Sequence, residues 1–145
     1  MINISIKGDG GLVAIDVLGY ESPNAINDSD ANWLASRVVV AVGPFCAKLD
    51  AVLTTHDFIH FERDLASMLR TLTGKAEFQT DEESLRFAIH MGPLGVAMVN
   101  GIVRSISETR ASMEFSFPTD QTYLDRARYS LSDITKCFPV RSHDV

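Results

Sequence analysis

Apolar residues recur at every second position through most of this chain, in runs cut at short intervals by glycine-bearing turns. Period-two alternation puts one set of side chains on a common sheet face, whereas a helix needs spacings of three and four. Turns this short join only antiparallel neighbours, so the pattern commits the chain to a largely antiparallel sheet. Residues 2–7 and 12–19 are two such runs, joined by Gly8-Asp9-Gly10-Gly11, whose glycines and aspartate tolerate the positive φ of tight turns. That turn matches neither the P-loop nor the dinucleotide fingerprint, and no helical pattern follows it. A polar, acidic loop spans Glu21 to Asp30. Residues 32–42, rich in β-branched side chains, then turn at Gly43-Pro44 into 45–53, where Phe45, Ala47, Leu49, Ala51 and Leu53 share a face.

The period then changes. Phe58, Phe61, Leu65, Met68, Leu69 and Leu72 fall at spacings of three and four, which predicts one long helix at about 55–72. Thr54 or Thr55 can cap it, Asp57 sits in its first turn, and Gly74 can stop it. Alternation returns at 76–79, 84–91, 96–106 and 111–117. The run 96–106 is apolar on both faces and reads as central, with Gly101 a candidate bulge. Residues 121–138 satisfy both periods. The capping signal Ser130-Leu131-Ser132-Asp133 favours a strand to about Tyr129 and a short helix over 131–137. The expected fold class is α+β: largely antiparallel sheets of about eight strands, one long helix and a short C-terminal helix. The outline is two ββββα-like halves. Residues 1–145 are expected to form one globular domain, a length at which roughly 68–70% of the unfolded surface can be buried without disulfide or metal.

Thirteen basic and nineteen acidic residues give a net charge of −6, and the excess falls in the first hundred residues. That balance opposes non-specific nucleic-acid binding and suits a basic protein partner. Arg104, Arg110, Arg126, Arg128 and Arg141 lie near Tyr123 and Tyr129, but as many acids offset the bases of this last segment. Cys46 and Cys137 form no CxxC or metal-spaced cluster, and Cys46, set between Phe45 and Ala47, reads as a buried inert thiol. The start of the chain lacks a signal-peptide apolar core, and the run Met91 to Val103 is too short and broken to span a bilayer. Cytoplasmic residence with free thiols, and no membrane association, is the expectation.

His56 and His60 lie one helical turn apart and approach the HExxH motif, with Asp57 where the motif has glutamate. The pair falls opposite the apolar stripe, and neither His90 nor His143 is signalled as a third ligand. No nucleophile elbow or Cys–His pattern appears, and the carboxylate pairs Asp28/Asp30 and Glu82/Glu83 sit in turn-like stretches. No catalytic residue, cofactor or metal is expected.

Gly19-Tyr20-Glu21-Ser22-Pro23, followed by Asp28-Ser29-Asp30-Ala31-Asn32-Trp33-Leu34, resembles the GYE-x-P and D-x-NWL segments of the WapI-family immunity proteins. The likeness continues through the Leu53-Thr54 strand end and the Phe-rich helix to Cys137-Phe138-Pro139. It implies a small bacterial cytosolic protein, not an enzyme, that binds and neutralises a cognate toxin domain, often a basic nuclease. An acidic inhibitor suits such a partner. Trp33 is expected in the core, and Tyr20 and Pro23 are expected to fix the loop's exit. Asp28 and Asp30 are then the first partner-contact candidates, followed by Asp81, Glu82 and Glu83. The alternatives are a small enzyme or metal-binding protein using His56/His60, or a self-associating structural module. A homodimer stays open.

Overall fold

Each run of alternation forms a strand, and the strands fall into two sets of four. The computed structural model describes residues 2–25, 28–106 and 109–141. In the first sheet, β1 (Ile2–Gly8), β2 (Gly11–Tyr20), β3 (Trp33–Val42) and β4 (Phe45–Thr54) form an antiparallel meander in that order. A one-turn helix, α1 (Asp28–Ala31), lies in the acidic loop before β3, and α2 (Thr55–Thr71) follows β4. The second sheet repeats the plan with β5 (Lys75–Gln79), β6 (Leu85–Met91), β7 (Val96–Arg104) and β8 (Ser112–Asp120), followed by α3 (Gln121–Cys137). The fold is α+β, with eight strands in two antiparallel sheets and two long helices.

Sequence signals account for most boundaries. The Thr54 side chain accepts from the Asp57 N–H at 3.1 Å, and the Asp57 carboxylate accepts from the Thr54 N–H at 2.9 Å, a complete capping box. At the other end Leu72, in a left-handed conformation, closes α2 ahead of Gly74, its N–H donating to the Met68 carbonyl. Leu72 is therefore exposed and leaves the stripe. Residues 121–129 are not a strand: α3 is one continuous 17-residue helix whose buried face is Leu124, Ala127, Leu131 and Ile134. Asp120 caps it by accepting from the Tyr123 N–H, so Ser130 to Asp133 lie mid-helix. Gly101 makes no bulge. It stays in register between Phe87 and Phe115, and a Cβ there would sit 2.6 Å from both rings' side-chain atoms.

The inner faces of both sheets and the stripes of both helices share one core. Phe58 and Phe61 of α2 meet Phe78 of β5 and Phe87 of β6, with ring centroids 5.3–5.7 Å apart. Each helix packs mainly against the other half of the chain: α2 lies on β5, α3 lies on β1, and the helices touch. Thr135 donates to Glu62 at 2.7 Å across that contact. The sheets meet where the β1–β2 turn abuts β8. There the Asp9 N–H donates to the Pro118 carbonyl at 2.9 Å, and the Thr119 hydroxyl to the Lys7 carbonyl at 2.6 Å.

Candidate partner-binding surfaces

The two acidic segments singled out in the sequence border the same helix end. The Asn32 carbonyl, directly after α1, accepts from the Thr55 N–H at the start of α2 at 3.0 Å. From the other side, Asp81 in the β5–β6 turn acts electrostatically on Asp57 in the first turn of that helix. Asp30, Asp81, Glu82 and Glu83 are exposed, and the Asp28 side chain lies outside what the structure describes. Glu83 is partly neutralised, since its carboxylate lies 3.3 Å from the Arg104 guanidinium.

Burial pushes the Asp57 carboxyl above its ordinary range, hydrogen bonds from Thr54 pull it back, and Asp81's charge adds to the rise. The folded protein therefore holds that proton more readily than the unfolded chain. Stability contributed at this site is present while Asp57 is protonated and falls as pH rises through its raised pKa. Asp57→Asn removes this dependence while keeping an oxygen for the Thr54 N–H. Thermal denaturation between about pH 4 and 7 is expected to show the difference between variant and wild type shifting in the variant's favour as pH rises.

His56 and His60 are exposed beside Asp57, Glu77, Gln79, Thr80 and Asp81, around a depression of about 320 Å³. His60 lies 3.5 Å from Asp64. Among the described residues no group of three or more His, Cys, Asp and Glu side chains is placed to hold a metal ion. His143 lies outside the described residues. A wider hollow of about 670 Å³ crosses the outer face of the second sheet. It lies over a cross-strand row in which Ala88, Asn100 and Ser116 are short, beside the bulkier row Gln79, Arg86, Ile102 and Glu114. Ser116 donates to Asn100 at 3.0 Å across its floor. At its rim Lys75, 2.6 Å from Glu77, holds that carboxyl below the usual range. The sequence reading missed this surface, because it depends on strand register.

Tyr20 builds a different structure. Its ring meets Phe138 edge-on at 5.4 Å, its hydroxyl donates to the Pro139 carbonyl at 2.8 Å, and the Arg141 guanidinium lies 3.7 Å from its centroid. Burial raises the phenol's pKa, and the Arg141 charge opposes that rise. Arg141 also donates to the carbonyls of Ser22, Pro23 and Ala31, while its own N–H donates to the Asn32 side chain at 2.7 Å. Trp33 is not in the core: it is half-buried on the face of β3 opposite Leu34. Cys46 and Cys137 are free, and both are exposed, so the expected burial of Cys46 does not hold.

The family model of the WapI-like immunity proteins matches residues 1–139. The chain belongs to that family. No curated protein matches it. Among solved structures, this WapI-like protein is similar in fold to MRP1/MRP2 of Trypanosoma brucei. The TM-score is 0.50, with 10% identity, covering 95% of this chain and 85% of that one. A chain of the CdiA-CT/CdiI toxin and immunity complex from Enterobacter cloacae is also similar, with a TM-score of 0.44 and 11% identity, covering 69% of this chain and 88% of that one. In the WapI-like protein the contacts of Tyr20, Ser22, Pro23, Ala31 and Asn32 make the GYE-x-P and D-x-NWL segments a clasp on residues 138–141. The residue that sequence reasoning missed is Arg141, grouped there with the scattered arginines. Among the described residues no helix is long and apolar enough to cross a membrane.

Proposed function

We propose that this protein binds a cognate toxin domain stoichiometrically and neutralises it without catalysis. Membership of the immunity family over residues 1–139 carries the reading. The acidic balance of the chain supports a basic partner, such as a nuclease, approached through the acids that flank the start of α2. Asp28, Asp30, Asp81, Glu82 and Glu83 are the proposed contacts. The protein is proposed to act in the cytoplasm as one domain, since neither half covers its own sheet.

The test begins with affinity capture from native lysate at low and high salt, followed by purification of the toxin domain recovered. Reversing all five acids to lysine is expected to weaken its binding by at least about a hundredfold, mainly through association rate, and to flatten the salt dependence. Unchanged affinity would remove the acids from the interface. Toxin activity that persists with the two proteins mixed in equal amounts would overturn neutralisation itself.

A further inference from the structure

Four strands end the two sheets, and three of them are met by another element. α3 lies on β1, α2 lies on β5, and the β1–β2 turn abuts the end of β8. Among the described residues, β4 is paired on one side by β3, and of the remaining elements only α2, which follows it in sequence, makes more than slight contact with it. It is ten residues long and runs in unbroken register against β3, without the bulge, internal proline or shortness that usually blunts an open edge. Its inward-facing row is apolar yet incompletely covered: Phe45 is 67% exposed, and Ala47 and Leu49 are half-buried.

The sequence of this edge is complementary to itself. The two-residue turn Gly43-Pro44 makes Val42 and Phe45 the first hydrogen-bonded pair of the hairpin. Residues 45, 47, 49, 51 and 53 therefore direct their backbone groups to β3, and 46, 48, 50 and 52 direct theirs outward. Two copies of β4 running antiparallel can pair only where outward residues face each other. Centring the two-fold axis on Lys48 sets lysine against lysine, and centring it on Asp50 sets aspartate against aspartate. Centring it on Leu49 sets Lys48 of each copy against Asp50 of the other, twice. On the inner face the same register places Leu49 against Leu49, Ala47 against Ala51, and Phe45 against Leu53. Asp50 already sits 3.5 Å from Arg37 on the outer face, so the added lysine extends an alternating row of charge.

We infer that β4 is a homodimerisation edge, joining two copies of this chain through an antiparallel β4–β4 pair centred on Leu49 into one eight-stranded sheet. The inference is independent of the toxin reading. Sedimentation equilibrium of the purified protein is expected to give twice the 16.0 kDa chain mass. Lys48→Asp and Asp50→Lys each replace two attractions by two like-charge contacts, and each is expected to weaken the dimer by about ten- to a hundredfold. The double variant restores both pairs and should recover the dimer. In a Cys46→Ser, Cys137→Ser background, Leu49→Cys should form an intermolecular disulfide under oxidised glutathione, because non-hydrogen-bonded antiparallel pairs lie about 4.5 Å apart at Cα. A monomeric wild type, single swaps that leave the dimer intact, or failure of the double variant to restore it would overturn the inference. So would single swaps that abolish toxin binding in a protein already monomeric, which would give the edge to the partner's strand instead.

Discussion

Phe78→Ala is expected to lower the free energy of unfolding by about 3–5 kcal/mol, read from the shift in denaturant midpoint at unchanged slope. The ring is 1% exposed and stacks on Phe87 at 5.3 Å with an interplanar angle of 16°. Phe58 and Phe61 reach it from α2 at 5.4 and 5.7 Å. Truncation removes the apolar area and opens a void between a helix of the first half and a strand of the second. Neither wall can collapse into it freely, because the other rings are fixed by strand register and helix face. Phe78→Leu fills most of the space and should cost about 1.5 kcal/mol or less. Equal losses for the two variants would show that ring geometry, and not volume, holds the contact.

Gly8→Ala should cost about 3 kcal/mol, at the upper end of overpacking penalties. A Cβ at this position would lie 2.0 Å from the Pro118 carbonyl oxygen and 2.8 Å from Cδ2 of Phe117. A side chain can rotate aside, but a backbone oxygen cannot, and this oxygen also accepts from the Asp9 N–H. The two sheets must separate locally to admit one methyl group. Gly10→Ala in the same turn is the control. Its φ of +71° strains any other residue, but nothing lies within 4 Å of the new Cβ, so a loss of about 1–2 kcal/mol is expected. Thermal denaturation of the two variants separates steric exclusion at the junction from backbone strain.

The strands and α2 were legible because most strands alternate cleanly, 96–106 is apolar on both faces as a central strand can be, and α2 keeps spacings of three and four from a start marked by threonine and aspartate. The segment 121–129 was not, since Tyr123, Asp125, Ala127, Tyr129 and Leu131 also alternate. The decisive set, Leu124, Ala127, Leu131 and Ile134, shows its role only when β1 and α2 are there to cover it. Gly101 reads as a bulge in sequence because nothing local reports the rings of Phe87 and Phe115 on neighbouring strands. Exposure of Cys46 follows from its place on the outer face of an edge strand, opposite the inward row that ends in Ala51 and Leu53. The acids of the candidate surface were visible as turn chemistry, and their shared border at α2 was not. Arg141 left no local signal at all, because its partners lie about 110–119 residues away.

The crossing of the two helices governs the order in which the molecule can be built. A ribosome delivers β1 first and α3 last, yet Ile4 and Ile6 of β1 lie in the core that α3 helps to cover. The nascent first half can pair its four strands as they emerge, but its apolar face waits for a helix not yet made. Closure is thus non-local, with the contacts of Tyr20 spanning 119 residues. Loops of that size close late, after most of the surrounding sheet has formed. The newly made first sheet is consequently the stage at which this chain is most open to wrong pairing, and its survival depends on how soon the final helix arrives.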